Sequence, residues 1–162
     1  MSHIIFAGRR TFTAMRIVLS AVIFFTAFMT IGQNLTTYRS TRDVDQTVNR
    51  IIEVIKQKKL AYFETVEHDI VAKEYGVEIP PTRMILFEDP NMMIELVSCR
   101  QTTALDLPMR ILVWEENSDV YVGFFDPKVM KKRFMLHECD DIISSMSRLK
   151  IRVVNEALRD GD

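Results

Sequence analysis

Three side chains of this 162-residue chain could form a polar site: His68, Asp106 and Glu115. His68 stands between two acidic residues, where it could act as a general base or a metal ligand. It could equally hydrogen-bond a neighbouring loop. Asp106 precedes Leu107-Pro108, so its carboxylate could instead cap the turn by accepting backbone N–H groups. We predict that the three residues converge at one end of a sheet and line a small ligand-binding pocket.

The two cysteines, Cys99 and Cys139, could form a disulfide if the protein lies in an oxidising compartment. Closing a loop of that length stabilises a protein by roughly 3–4 kcal/mol. The two could instead bind zinc together with His137, although the three residues lack the CxxC-type spacing of zinc sites.

The ten methionines raise the question of a copper(I) site, because thioethers are soft ligands. Four of them fall on apolar periods, which predicts that they fill the core instead: Met84, Met109, Met130 and Met146. The sequence has no phosphate-binding glycine loop, no GxSxG and no HExxH. It therefore names no cofactor, and we expect a protein that is not an enzyme.

The amino-terminal segment is predicted to be a secretion signal or a membrane anchor. Residues 17–32 form an uncharged, mostly apolar run that follows Arg9, Arg10 and Arg16, with no acidic residue before it. The sequence leaves open a cleaved signal peptide, a retained anchor and, as a third reading, a buried core helix. The first two place residues 35–162 outside the cytoplasm, in the periplasm. The paired arginines also resemble a twin-arginine export signal.

Composition sets the domain organisation. Hydrophobic residues make up 48% of the chain and charged residues 27%, which is typical of a globular domain. We predict residues 1–33 as the leader and residues 34–162 as one domain. Beyond the leader the chain carries 18 basic and 22 acidic residues, a balance that gives it no electrostatic reason to bind nucleic acid.

Hydrophobic periodicity predicts strands and helices in alternation. The expected strands are residues 35–39, 60–67, 83–87, 110–115 and 120–125, the last two joined as a hairpin. The expected helices are residues 44–55, capped by the hydroxyls of Ser40 and Thr41, and 140–158, with shorter ones at 70–75 and 128–134. Residues 91–100 fit a helical turn or a strand. Both faces of the strand at 110–115 are apolar, so it is either covered on each side or used in a subunit contact.

Four segments resemble the family of domains of unknown function numbered 302, over nearly all of residues 35–160. They are FETVEH (63–68), PPTRMILFEDP (80–90), ALDLPMRILVWE (104–115) and FFDP (124–127). The resemblance implies an α+β domain in β-α-β-β-β-β-α order. Its curved antiparallel sheet would be backed by helices, in an arrangement similar to that of the TATA-box-binding protein. The resemblance also implies a homodimer, but it brings no accepted activity, cofactor or catalytic residue. Where the family usually has a glycine before Asp89-Pro90, this chain has Glu88.

The sequence thus favours an extracytoplasmic binding or interaction module, expected to be a homodimer. It would present either a small-ligand pocket near His68 or an apolar face. The alternative is a metal-handling protein or an enzyme that uses His68 with Asp106 and Glu115. A retained leader would add the membrane as a partner.

Overall fold

A computed structural model of the protein describes residues 34–159, and the predicted leader lies outside these residues. Five strands are present: β1 (Leu35–Ser40), β2 (Ala61–Glu67), β3 (Thr82–Glu88), β4 (Met109–Glu116) and β5 (Asp119–Phe125). Five α-helices accompany them: α1 (Val44–Gln57), α2 (His68–Glu74), α3 (Pro90–Cys99), α4 (Val129–Arg133) and α5 (Asp140–Leu158). A short 3-10 helix (Gln101–Asp106) leads into β4.

The strands form one antiparallel sheet in the order β1-β5-β4-β3-β2, so β1 and β2 are its edges. β4 and β5 are joined by Asn117 and Ser118, whose φ angles are 53° and 67°. Positive φ at both positions is the geometry of a two-residue turn whose twist matches that of the strands. β2 contains an irregularity between Tyr62 and Glu64 that shifts its register against β3.

Helices α1 and α5 pack against each other and back one face of the sheet. Their apolar stripes meet alternate residues of the strands, and Ile85, Ile111 and Val122 have no exposed surface. The side chain of Asp43 caps α1 by accepting the N–H of Gln46. The prediction that the hydroxyls of Ser40 and Thr41 cap this helix is therefore wrong, because the N-cap residue is Asp43, three residues before Gln46.

The predicted fold class, an α+β domain with an antiparallel sheet backed by helices, is confirmed. The ambiguous segment at 91–100 is helical, because Asp89 accepts the N–H groups of Asn91 and Met92 and Pro90 occupies the first turn. Three of the four methionines predicted to fill the core are buried, but Met84 is half-buried on the opposite face of the sheet. Within residues 34–159, no helix combines the length and apolarity needed to cross a membrane.

Candidate functional site

The face of the sheet that points away from α1 and α5 is called the outer face from here on. Strand alternation and register place eight large apolar side chains on it: Leu35, Val66, Met84, Leu86, Leu112, Trp114, Tyr121 and Phe125. None of the eight is buried, and Phe125 is 63% exposed. A soluble domain rarely leaves a continuous apolar surface of this kind without a partner.

Trp114 lies flat at the centre of the outer face. Its ring stacks on Tyr121 with the ring centroids 5.6 Å apart. The indole also extends over Gly123 of the neighbouring strand, where a Cβ would come within 2.9 Å of Cζ3 of Trp114. The missing side chain at Gly123 therefore makes room for the indole on the outer face.

Asp106 lies at one end of the sheet, where the 3-10 helix turns into β4. Arg133 donates from Nη1 to both of its carboxylate oxygens, at 2.6 and 2.8 Å. Arg110 approaches Oδ1 of Asp106 to 4.0 Å. Only 13% of the Asp106 side chain is exposed. The carboxylate therefore pairs with arginines, and the cis peptide bond between Leu107 and Pro108 follows it directly.

Glu115 lies at the other end of β4, beside the hairpin turn. It is half-buried and lines an open groove of about 670 Å³ together with residues 39–43 and 118–120. Within this groove Arg39 pairs with Asp119. The groove is wide enough for a small molecule, but it is shallow and open to solvent.

The three predicted ligand-binding residues do not share one pocket. His68 begins α2 at the hairpin end of the sheet, about 10 Å from Glu115 because one strand lies between them. Asp106 is at the opposite end, about 20 Å from Glu115 along β4. The prediction that the three converge is wrong, because β4 is long enough to separate its two ends beyond the reach of a small ligand. Among the described residues, no group of three or more His, Cys, Asp or Glu side chains is placed to hold a metal ion.

The acidic residues around His68 surround a buried arginine. Arg83 is 8% exposed on the helix side of β3, and Asp69 contacts its guanidinium. Glu67 lies 3.4 Å and Asp45 lies 3.8 Å from it. Asp69 also accepts the N–H of Thr82 at 3.2 Å. A buried arginine needs such carboxylates, since an unpaired charge in the interior is costly. The acidic residue after His68 thus stabilises the domain.

Lys150 is the functional candidate that the sequence prediction missed. This residue of α5 is 7% exposed, and its ammonium group donates to the carbonyl oxygen of Phe125 at 3.2 Å. The ammonium also lies 5.6 Å from the centre of the Phe124 ring. Burial lowers the pKa of Lys150 to about 8, and the charge of Arg110 acts in the same direction. The signal was available, because Lys150 occupies a position of the apolar stripe of α5, four residues after Met146 and four before Val154.

Asp126 is anchored beside Lys150. Burial alone would raise the pKa of Asp126, but hydrogen bonds from the Lys128 N–H and the Ser147 hydroxyl hold that pKa below its usual value. Ser147 and Lys150 are one helical turn apart on α5. The FFDP segment is therefore fastened to α5 at two points, at the Phe125 carbonyl and at the Asp126 carboxylate.

Glu88 is buried at the end of β3. Its Oε1 atom has no hydrogen-bond partner among the described residues. Burial raises the pKa of this carboxyl group above 4.5. A carboxyl group in such a place favours its neutral form.

Cys99 and Cys139 are joined by a disulfide, with their Cα atoms 6.4 Å apart. The bond links the last residue of α3 to the residue that precedes α5. Cys99 is exposed and Cys139 is 5% exposed. The zinc alternative, which would use both thiolates, does not apply to this bonded pair.

Comparison with known proteins places the chain beside relatives of two kinds. It is 34% identical over 113 residues to "Fluoride-specific ion channel FluC 1" of Brucella suis biovar 1, covering 69% of this chain and 44% of that protein. It is equally similar to "Fluoride-specific ion channel FluC 2" of Brucella melitensis biotype 1, of which it covers 42%. The chain thus spans less than half the length of the curated relatives it matches.

A crystal structure described as "uncharacterized conserved protein DUF302 from Bacillus stearothermophilus" has the same fold. Its TM-score to this chain is 0.73 at 15% identity, and the match covers 79% of this chain and all of that one. The family model "Domain of unknown function DUF302" matches residues 36–153. On this match, the chain belongs to the DUF302 family.

Proposed function

We propose that this protein is a homodimeric interaction module of the cell envelope, and that two copies associate through their outer faces. The observation that carries the proposal is the uncovered apolar surface around Trp114 and Leu112 at the centre of the sheet. Burying such a surface is the main driving force of protein association.

The size of the outer face supports a second copy as its partner. Five strands spaced about 4.8 Å apart and about seven residues long cover roughly 24 by 23 Å, or about 550 Å². Two such faces in contact would remove more than about 1,000 Å² from solvent, which is the lower bound for a specific interface. Sheets pack face to face in this way in β-sandwiches.

The charges of the outer face support a two-fold arrangement. Arg110 and Glu64 flank Leu86 on neighbouring strands, so the face carries a basic and an acidic group on either side of an apolar residue. A two-fold axis through such a face can bring the basic group of one copy to the acidic group of the other. Opposite charges at the rim would then fix the register of the two copies.

A position outside the cytoplasm is the second part of the proposal. The apolar run at residues 17–32 with arginines before it supports export or anchoring. The Cys99–Cys139 disulfide supports an oxidising compartment. The partial match to proteins named as membrane channels is compatible with a domain that works beside a membrane, and no transport activity is proposed for this chain.

The alternative function, metal handling or catalysis by His68 with Asp106 and Glu115, is not favoured by the geometry. A catalytic base acts on an atom within hydrogen-bond reach and is oriented by a second group. Asp106 is about 20 Å from Glu115, and it is already paired with Arg133.

The oligomeric state of the full chain tests the proposal. Leu112→Glu places a charge at the centre of the outer face, and Ile151→Glu makes the same kind of change on the exposed side of α5. We expect the wild type and Ile151→Glu to sediment as dimers and Leu112→Glu as a monomer. Trp114 is the only tryptophan, so its fluorescence should shift to the red when Leu112→Glu exposes it.

A monomeric wild type at about 100 µM, a concentration at which interfaces of standard size associate, would reject the outer face as a self-association surface. Dimers of Leu112→Glu with unchanged Trp114 emission would reject it as well, because they would place the contact elsewhere.

A further inference from the structure

We propose that the cavity beside Lys150 binds a small monovalent anion of the size of formate or chloride. The cavity has a volume of about 60 Å³ and lies between the start of β4, the end of β5, α4 and α5. Its lining includes Lys150, Arg110, Asp106 and Asp126, together with the apolar side chains of Met109, Phe125, Val129, Met130 and Met146.

The first argument is the number of hydrogen bonds that Lys150 makes. An ammonium group has three N–H donors. Within residues 34–159, the Lys150 ammonium donates to one acceptor, the carbonyl oxygen of Phe125. None of the ion pairs among these residues includes Lys150, so none of their carboxylates lies within 4.0 Å of its ammonium group. A buried cation with free donors beside a cavity calls for acceptors from a ligand or from water.

The second argument is that the nearby carboxylates are already engaged. Asp106 receives two hydrogen bonds from Arg133. Asp126 accepts from the Lys128 N–H and the Ser147 hydroxyl. Arg133 thus pairs with Asp106, and the Lys128 ammonium lies 3.9 Å from Asp126, so each carboxylate has a cationic partner other than Lys150.

The third argument is size and shape. A cavity of about 60 Å³ holds about two water molecules, which is also the volume of one small anion. The low pKa of Lys150 agrees with an anion site, because burial without a paired anion disfavours the charged ammonium group.

Binding of sodium formate and sodium chloride to the full chain tests the proposal, with two readouts. One is the thermal unfolding midpoint, and the other is the pKa of Lys150 followed by NMR of ¹³Cε-labelled lysine. We expect both anions to raise the midpoint and the Lys150 pKa with saturable curves, since an anion stabilises the charged form. Lys150→Met should weaken binding by about tenfold or more, because a charged hydrogen bond is lost.

Lys73→Met is the matched control, because Lys73 is an exposed lysine of α2 at the other end of the sheet, and it should bind as the wild type does. Arg110→Gln should bind more weakly while leaving the core intact, since the Arg110 side chain is 51% exposed. If Lys150→Met does not fold, Arg110→Gln and the wild-type Lys150 titration decide the question.

The anion site would be overturned if the unfolding midpoint of the wild type rose linearly with salt concentration and Arg110→Gln gave the same rise. A Lys150 pKa that does not move with formate or chloride would overturn it too. Neither result would decide the dimer, which is tested at Leu112, a side chain that does not line the cavity.

Discussion

Breaking the Cys99–Cys139 disulfide should lower the stability of the domain by an amount that follows from the loop it closes. The two cysteines are 40 residues apart, which in the loop-entropy treatment corresponds to about 4 kcal/mol at 25 °C. For a domain of about 130 residues, 4 kcal/mol lowers the unfolding midpoint by roughly 15 °C. The double variant Cys99→Ala, Cys139→Ala should lose this amount, plus a small contribution from the buried Cys139 sulfur.

Calorimetry with and without a reductant provides the assay. Reduction of the wild type breaks the bond and changes no side chain apart from the two sulfur atoms. The resulting shift of the unfolding midpoint therefore reports the contribution of loop closure alone. The double variant is the control, because a reductant has no bond to break in it and its midpoint should not change. Thiol labelling of the denatured protein confirms that reduction is complete.

The reasoning would be refuted by fully reduced wild type that unfolds within about 3 °C of the oxidised protein, well short of the loop-entropy value. Two reactive thiols in protein isolated from the envelope would contradict the oxidising location as well, because the structure brings the two sulfur atoms into bonding contact.

Three further changes probe the buried charges. Asp69→Asn should destabilise the domain by about 3 kcal/mol in urea unfolding by leaving Arg83 without its closest carboxylate, whereas Asp45→Asn, at a site 79% exposed, should cost less than about 0.5 kcal/mol. The pKa of Lys150 is about 8 in the folded state and 10.5 in the unfolded chain, so the unfolded chain binds more protons between these values. The free energy of unfolding should therefore rise by about 3 kcal/mol between pH 8 and 10.5. If the free energy of unfolding of Lys150→Met rises with pH as steeply as that of the wild type, this explanation is wrong. The pKa of Glu88 is raised by burial, so the free energy of unfolding should fall as the pH rises from 4.5 through that pKa. Glu88→Gln should therefore be more stable than the wild type at pH 7. A urea midpoint of Glu88→Gln that is equal to or lower than that of the wild type would contradict the burial argument.

The sequence predicted the fold well because periodicity and turn chemistry are local signals. The last helix was predicted with the bounds it has, Asp140–Leu158, since its apolar stripe is long and acidic residues begin it. Residues 91–100 stayed ambiguous because their apolar residues fit both periods, and the decisive feature was the capping of α3 by Asp89, which lies outside the window.

The candidate site could be predicted only in part. His68, Asp106 and Glu115 were chosen by residue type, but whether residues at different strand ends meet depends on the sheet order and on strand length. A histidine beside two acids looked like a site, whereas those acids surround Arg83, which is distant in sequence. A lysine in an apolar stripe was the more informative pattern, because burying an ammonium group is costly unless something compensates.

The outer face and the Lys150 cavity meet at two side chains. Arg110 and Phe125 line the cavity, and both also point to the outer face through strand alternation. An anion that holds Arg110 at the cavity would change the position of a basic group available to a second copy. Coupled binding equilibria are reciprocal, and a homodimer holds two such cavities. The factor by which saturating formate changes the dimer dissociation constant must therefore equal the square of the factor by which dimerisation changes the affinity of each site for formate. Sedimentation at increasing formate concentration measures the change in the dimer dissociation constant. Titration of formate into protein at concentrations above and below that constant measures the change in the affinity for formate. If Arg110 is the shared element, Arg110→Gln reduces both factors toward one together, whereas Ile151→Glu leaves them at their wild-type values.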